Sequence, residues 1–268
     1  MTFPDFSDTP LSEFLSFEGR TVVVTGGARG IGLGIAGRFS EMGADVYLAD
    51  LDGDAAKAAA KTLGSAARGL DFDAGAPDEH EILATRVCRE TSRLDVWVNN
   101  AAIYPAAALL EASVQHWRSV MAIDLDGAMW GVGAAGRAMR HCGNGGCVIN
   151  IVSTSGLRLG GPLLAAYTAA KHGLVGLTKA AALELAPHGI RVLGIAPSLT
   201  ETPGFREQAA TLTASLGDDP EARFAQRVPA GRVGKPDDVA RVAVFCASGL
   251  ASFMTGSTIT VDGGRLLT

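Results

Sequence analysis

Short apolar runs without polar alternation recur along this chain, and each is followed by a segment in which apolar residues are spaced differently. The first run, from Thr21 to Thr25, is rich in valine, as is typical of a strand buried on both faces of a parallel sheet. Similar runs predict further strands at 45–50, 66–72, 94–98, 147–152, 190–196 and 257–261.

Between these runs, apolar residues return every three or four positions, which is the period of a helix. Ile31, Ile35 and Phe39 follow this spacing up to Gly43. Further helices are predicted at 54–63, 78–91, 113–139, 168–186 and 236–246, and the longest is expected to bend near Gly127. This alternation predicts an α/β fold in one domain over 19–268, a doubly wound parallel sheet of about seven strands with helices on both faces.

Charge and composition limit the partners and the cellular location that can be expected of this chain. The 268 residues carry a net charge of −5 without a cluster of lysine or arginine, so nucleic acid is not expected as a partner. The uncharged stretch 242–261 has the length of a membrane span, but Gly249 and Gly256 interrupt it, so no transmembrane segment is predicted. Scattered cysteines indicate a reduced, cytoplasmic protein, and residues 1–18 are predicted to form a loosely held arm.

A glycine-rich turn at 26–32 joins the first strand to the first helix. Its glycines would let the backbone approach a pyrophosphate, whose charge a helix N-terminus stabilises. The second strand ends at Asp50, twenty residues after Gly30, the spacing of a carboxylate that binds the ribose 2′-hydroxyl of NAD and repels the 2′-phosphate of NADP. Leu51 offers such a phosphate no basic partner and Arg29 is the one residue that does, so NAD is the predicted cofactor.

Tyr167 and Lys171 lie one helical turn apart after Pro162 and therefore share a face of the predicted helix. An ammonium beside a phenol in a dry pocket lowers the pKa of the phenol, so Tyr167 is expected to act as an acid or base near neutral pH. Ser153 directly follows the fifth strand and can bind the same substrate oxygen. On its own the pair is typical of a surface ion pair, but the ordered strands, turn and acid favour a catalytic role.

Taken in order, these motifs resemble those of the short-chain dehydrogenase/reductase family from about Gly19 to the C-terminus. The shared motifs are Thr25-Gly26-x-x-x-Gly30-x-Gly32, Asn99-Asn100-Ala101, Ser153, Tyr167-x-x-x-Lys171 and Pro197 with Thr202. The resemblance implies a Rossmann-like fold in which Tyr167 is the general acid/base, Ser153 polarises the substrate oxygen, and Lys171 also holds the nicotinamide ribose.

The same resemblance implies a cofactor site. Its residues would be Gly26, Arg29, Gly30, Ile31, Gly32, Asp50, Leu51, Asp71, Phe72, Asn99, Ala101, Tyr167, Lys171, Ile195, Pro197 and Thr202. Asp71 and Phe72 would flank the adenine, and Ile195 and Thr202 would touch the nicotinamide carboxamide.

Asp124 departs from the family pattern, because members usually carry Asn at this place on the long helix. The backbone carbonyl that anchors a relay water in the family is retained, but the carboxylate adds a negative charge near Lys171 and loses two N–H donors. Asp124 is therefore kept among the catalytic candidates. Ala102 and Ser198 replace family glycines, so a positive φ at either would be strained.

The substrate side is less defined. Ser155 is a rival for the role of Ser153, because the serine-to-tyrosine spacing is one residue longer than the family's. A small-molecule substrate is expected to contact Tyr104, Ser153, Ser155, Leu157 and Tyr167. The segment 198–228 is predicted to cover this pocket, with a plain surface insertion as the alternative.

The sequence thus predicts an NAD-dependent oxidoreductase that transfers a hydride between a secondary alcohol, or its ketone, and NAD without a metal. Two alternatives stay open: an NADPH-dependent carbonyl reductase and a non-catalytic NAD-binding sensor or scaffold. The resemblance, together with the long apolar helices at 113–139 and 168–186, implies a homo-oligomer, most often a homotetramer. The alternative is that the apolar faces of these helices pack only against the sheet. The five histidines, His80 among them, are predicted to be helix or surface residues.

Overall fold

The computed structural model describes residues 3, 6, 8–206 and 224–268, and this part of the chain forms one parallel sheet of seven strands. The strands are β1 (Thr21–Thr25), β2 (Asp45–Asp50), β3 (Ala67–Asp71), β4 (Val96–Asn99), β5 (Gly146–Ile151), β6 (Ile190–Pro197) and β7 (Thr258–Val261). Their order in the sheet is β3-β2-β1-β4-β5-β6-β7. The predicted strands are confirmed to within two residues at each end.

Helices cover both faces of the sheet, as the alternation predicted. They are α1 (Gly30–Glu41), α2 (Gly53–Leu63), α3 (Pro77–Thr91), α4 (Val114–Met121), α5 (Gly127–Cys142), α6 (Ala165–Leu185) and α7 (Pro236–Ala247). On one face α1 and α7 share an apolar cluster that contains Phe39 and Val239. On the other, α3, α5 and α6 contribute Val87, Met139 and Ala181 to a second cluster. The single doubly wound domain is confirmed.

The predicted long helix at 113–139 is helical from Val114 to Cys142, but it is not an α-helix throughout. A π-helical turn, Ala122–Asp126, separates α4 from α5, and the Gly127 N–H bonds to the Ala122 carbonyl five residues back. The lack of a side chain at Gly127 matters, because a Cβ there would lie 2.4 Å from the Ala74 carbonyl oxygen. One inserted residue does not break the apolar spacing enough to be seen in the sequence, and such turns are frequent at functional sites.

The N-terminal part packs more tightly than predicted. Phe17 is fully buried, and its ring centroid lies 5.0 Å from that of Phe39. Phe14 packs against Gly249, where a Cβ would lie 2.4 Å from the phenylalanine ring. The expectation of a loose arm over 1–18 is therefore wrong for its last residues, because two aromatic rings anchor them to the domain.

Two further predictions concern the C-terminal half. Of the proposed cover at 198–228, residues 207–223 lie outside the described residues. The uncharged stretch 242–261 contains the end of α7, a 3₁₀ turn at Gly249–Ala251 and β7. Within the described part of the chain, no helix has both the length and the apolarity that crossing a membrane requires.

Candidate active site

The glycine turn at 26–32 forms a close-fitting backbone cradle at the carboxyl end of β1. Gly26 has a φ of +61°, and a Cβ at Gly32 would lie 2.1 Å from the Gly26 carbonyl oxygen. Arg29 is the N-cap residue of α1, and its side chain makes no capping hydrogen bond to this helix. The first N–H groups of a helix have no partner within it. A backbone cradle that is lined by glycines and lies at a helix N-terminus without a side-chain cap fits a pyrophosphate.

Asn100 holds this cradle, a role that the sequence analysis missed. Its Nδ2 donates to the carbonyl oxygens of Thr25 and Gly26, each at 2.9 Å. The Thr25 hydroxyl in turn accepts from the N–H groups of Asn100 and Ala101, at 3.0 and 3.2 Å. The two consecutive asparagines of the motif indicate both positions, but the resemblance assigned the cofactor site to Asn99 and not to Asn100.

Asn99 instead lies in a buried network between strands and helices. Its Oδ1 accepts from Trp97 Nε1 at 2.7 Å, and its Nδ2 donates to Asn150 Oδ1 at 2.9 Å. The Asn150 amide then donates to Thr178 Oγ1 at 3.0 Å. Since Thr178 belongs to α6, this network fixes the helix that carries Lys171 against the sheet.

A cleft of about 680 Å³ beside the glycine turn holds the predicted adenosine-side residues. Its lining is Ala28, Arg29, Asp50, Leu51, Asp52, Gly53, Asp54, Ala55, Lys57 and Asp71. The Asp50 carboxylate accepts from the N–H groups of Ala28 and Asp52, at 3.0 and 3.1 Å. Lys57 is paired with Asp54 at 3.0 Å. Because carboxylates outnumber cations here, the cleft is unfavourable for an added phosphate.

The other predicted cofactor residues differ in what they can offer. The side chain of Phe72 is buried against His80, with ring centroids 4.8 Å apart, and that of Ile195 is fully buried, so neither side chain reaches the cleft. Only their backbone groups are available to a cofactor. Thr202 lies beside the glycine turn. A Cβ at Gly30 would be 3.3 Å from the methyl group of Thr202. Ile31 lies in the first turn of α1, and Pro197 ends β6.

Tyr167 and Lys171 meet on α6 as predicted. Lys171 is almost completely buried, with Nζ 5.5 Å from the Tyr167 ring centroid, and it donates to the Ile151 carbonyl oxygen at 3.2 Å. Ser153, rather than Ser155, is the serine whose hydroxyl acts on the Tyr167 phenol and lowers its pKa. The Ser155 hydroxyl faces the chain near residue 160 instead, since a Cβ on that glycine would lie 2.2 Å from it.

The pKa of Tyr167 contradicts the expected lowering. Burial raises it, the charge of Asp124 raises it further, and the hydrogen bond with Ser153 lowers it. The Asp124 carboxylate lies 3.3 Å from the Lys171 ammonium, so the phenol faces an ion pair rather than an isolated cation. Burial raises the pKa of Asp124 itself, against the opposing effects of Lys171 and of the Ile103 N–H, which donates to Oδ1 at 2.8 Å.

Comparison with known proteins agrees with this geometry. The profile of a family described as enoyl-(acyl carrier protein) reductase matches residues 26–265. The chain belongs to the short-chain dehydrogenase/reductase family. It is accordingly an oxidoreductase with a site for a nicotinamide cofactor.

Relatives of this oxidoreductase are named for different activities. It is 37% identical over 249 residues to the 3-oxoacyl-(acyl-carrier-protein) reductase of Chlamydia trachomatis, covering 91% of this chain and 96% of that one. It is 36% identical over 253 residues to the meso-2,3-butanediol dehydrogenase of Serratia marcescens, covering 93% and 96%. A putative NAD(P)-dependent gluconate 5-dehydrogenase from Beutenbergia cavernae, solved with NADP at low occupancy, superimposes with a TM-score of 0.86 at 36% identity, covering 95% and 99%.

The predicted substrate residues Tyr104 and Leu157 lie in the loops after β4 and β5. The Tyr104 ring centroid lies 5.8 Å from that of Tyr167, and Leu157 is 40% exposed. Of the described non-glycine residues, only Ser92 and Leu163 have positive φ. The replacements Ala102 and Ser198 therefore carry none of the strain considered above.

Proposed function

We propose that this protein is an NAD-dependent dehydrogenase of secondary alcohols in which Tyr167 is the acid/base. The observation that carries the proposal is the grouping of Tyr167 with the Ser153 hydroxyl and the buried Lys171, beside a cradle that fits a dinucleotide. Each of these groups has a role in moving the proton of an alcohol, and none needs a metal.

When bound, an oxidised nicotinamide ring supplies the hydride acceptor and a positive charge. Tyr167 as phenolate takes the hydroxyl proton of the substrate, while the Ser153 hydroxyl donates a hydrogen bond to the same oxygen. Lys171 stabilises the phenolate, but Asp124 offsets part of that effect. The phenolate therefore depends on further positive charge more than the sequence motif alone indicates.

NAD is the proposed cofactor because Asp50 and its neighbouring carboxylates line the cleft on the adenosine side. NADP is the alternative, and it is supported by Arg29 in the same lining and by the NADP in the Beutenbergia structure. The names of these relatives refer to a butanediol, a gluconate and a 3-oxoacyl group on an acyl carrier protein, each of which carries a hydroxyl or keto group. A secondary alcohol, or its ketone, is the reacting group that they share.

A homotetramer is proposed from the outer surface of the helices beyond the sheet. Large apolar side chains on α4, α5 and α6 are at least 41% exposed. They are Trp117, Met129, Trp130 and Leu183. Patches of this kind favour association of identical subunits, and light scattering of the purified protein tests this directly.

The proposed function is tested with Tyr167→Phe and a panel of polyols, sugars and cyclic alcohols. We expect the wild type to reduce NAD with some of them and the variant to lose about 10²- to 10⁴-fold in kcat. The Kd for NAD should stay unchanged, because the phenol acts on the substrate. Tyr47→Phe, which removes a phenol that donates to Glu90 instead of facing the site, should retain most activity. Binding of NAD by the wild type without oxidation of any alcohol would instead favour the sensor alternative.

A further inference from the structure

A small cavity borders Lys171 between β1, β4 and the helices that cover them. Its volume is about 10 Å³, close to what a single water molecule needs. It is lined by Thr25, Ala74, His80, Asn99, Ala101, Ile123, Asp124, Gly127, Ala128, Lys171 and Leu174. The lining therefore brings an imidazole, a carboxylate and an ammonium around one water-sized space.

Two polar atoms of this lining lack a partner. Within the described part of the chain, His80 Nδ1 and Asp124 Oδ2 are buried and make no hydrogen bond. Oδ2 lies 3.3 Å from Lys171 Nζ, close enough for an ion pair, but it accepts no hydrogen bond from it. Buried polar atoms in native proteins are almost always hydrogen-bonded, to protein or to ordered water.

The other ring nitrogen of His80 determines what Nδ1 can do. Nε2 lies 3.0 Å from the Ala74 carbonyl oxygen, which can only accept, so Nε2 carries the proton. Burial lowers the pKa of His80, against smaller opposing effects of the Ala74 carbonyl and of Asp73, and so favours the neutral ring. Nδ1 is therefore a bare acceptor. The lack of a side chain at Gly127 allows the Ala74 carbonyl to take this position.

We propose that His80, Asp124 and Lys171 together bind one water molecule in this cavity, and that His80 is thereby a positioning residue for the catalytic lysine. The water donates to Nδ1 and to Oδ2 and accepts from Nζ. Three hydrogen bonds are the usual number for a buried water. Both acceptors thereby gain the hydrogen bond that they lack, and the third bond places the water dipole against the Lys171 ammonium.

The water also fixes where the Asp124 charge lies. A carboxylate oxygen held by water at a set distance from Nζ cannot close onto the ammonium, so the charge balance felt by Tyr167 stays constant. Three charged or titratable groups face His80. They are Asp73, in the loop before α3, and Asp124 and Lys171 across the cavity. The water site does not depend on the proposed function, whereas its effect on turnover does.

Two variants of His80 separate this role from simple packing. His80→Gln keeps a donor for the Ala74 carbonyl but places no acceptor at the Nδ1 position, and His80→Asn does the reverse. We expect His80→Gln to lower kcat about tenfold and to displace the pH profile, with KM and the Kd for NAD within about twofold. His80→Asn should stay within about threefold of the wild type. Equal losses in both variants with an unchanged pH profile would overturn the positioning role.

A high-resolution crystal structure of the wild type with NAD tests the site without turnover. We expect one water within hydrogen-bond distance of His80 Nδ1, Asp124 Oδ2 and Lys171 Nζ, and its loss in His80→Gln. A dry cavity in the wild type would overturn the water site. A filled cavity in a protein that oxidises no alcohol would leave the site standing and contradict the proposed function alone.

Discussion

The Asp124 carboxylate lies 3.3 Å from the Lys171 ammonium, and both side chains are almost completely buried. A cation that would otherwise act on Tyr167 alone is thus paired with an anion from another element. The π-helical turn that separates α4 from α5 carries this anion. The acid/base properties of Tyr167 therefore depend on a residue that is distant from it in the sequence.

Replacing Asp124 by Asn is expected to shift the pH dependence of alcohol oxidation. The Asp124 charge raises the pKa of Tyr167, so its removal lowers that pKa. Oxidation needs the phenolate, and the acid limb of the profile of kcat/KM against pH should therefore move to lower pH. The measurement is the initial rate with NAD across the pH range.

Asp126→Asn is the matched control, since Asp126 lies in the same π-helical turn but is exposed to solvent. Its profile should coincide with that of the wild type because water and salt screen its charge. A shift of the Asp124→Asn profile to higher pH, or no shift beyond the control's, would show that the carboxylate does not act on Tyr167.

Ser153 and Ser155 can be separated by substitution. Ser153→Ala removes the hydroxyl that acts on the Tyr167 phenol, and we expect a loss of about 10² to 10³ in kcat, as for a donor to a reacting oxygen. Ser155→Ala removes a hydroxyl that faces the backbone loop, and kcat should stay within about fivefold of the wild type. A larger loss from Ser155→Ala than from Ser153→Ala would reverse the assignment.

The cofactor preference is expected to depend on the charge of Asp50. Asp50→Asn keeps an oxygen that can accept from the Ala28 N–H but removes the charge that repels a 2′-phosphate. The preference for NAD over NADP, as a ratio of kcat/KM values, should fall about tenfold, or about 1.4 kcal/mol. Asp54→Asn in the same cleft is the control, since Asp54 is exposed and paired with Lys57. A wild type that prefers NADP would contradict the assignment of NAD.

Gly131 is expected to be needed for the buried asparagine network. A Cβ at this position would lie 2.1 Å from Asn99 Oδ1 and 2.8 Å from Trp97 Nε1. Gly131→Ala should therefore lower the free energy of unfolding by about 1–3 kcal/mol, measured by urea denaturation. Gly37→Ala, where the new Cβ would be an ordinary 3.7 Å from Leu63, should instead raise it by about 0.5–1 kcal/mol. Equal effects would mean that the network tolerates the methyl group.

What the sequence could predict was mainly local. The strands, the glycine turn and the Tyr167 and Lys171 pair follow from spacing within one or two elements, and the structure confirms the elements. The pKa of Tyr167 could not be predicted, because its sign depends on how burial and Asp124 combine in three dimensions. The π-helical turn before Gly127 could not be predicted either, because one inserted residue leaves the apolar spacing nearly intact.

The burial of His80 could have been predicted from the sequence. It was predicted to be a helix or surface residue, and it does lie on α3, but only 1% of it is exposed. Leu83, Ala84 and Val87 are buried on the same helix, three, four and seven positions later. That spacing places position 80 on the buried face. The unpaired Nδ1 could not be predicted, because the cavity is formed by residues from several elements.

Cys88 and Cys142 are expected to form a disulfide on oxidation. These free thiols, near the ends of α3 and α5, have Sγ atoms 3.0 Å apart. With hydrogen peroxide, each thiol loses one proton and one electron, one S–S bond forms, and the peroxide is reduced to two waters. The bond would close a loop of about 55 residues and raise the free energy of unfolding by about 4 kcal/mol. Burial raises the pKa of Cys88 to about 12, so the reaction should accelerate as the pH rises.

The crosslink is measured as increased mobility on a non-reducing gel and as an increase in Tm, both reversed by dithiothreitol. Cys142→Ser should abolish both changes, whereas Cys246→Ser, at a buried cysteine elsewhere in the core, should leave them intact. Because the two helices stay packed in the reduced protein, forming the bond needs little movement of the backbone. Oxidation of Cys88 to a sulfinic acid without a crosslink would mean that the thiols are held apart in solution.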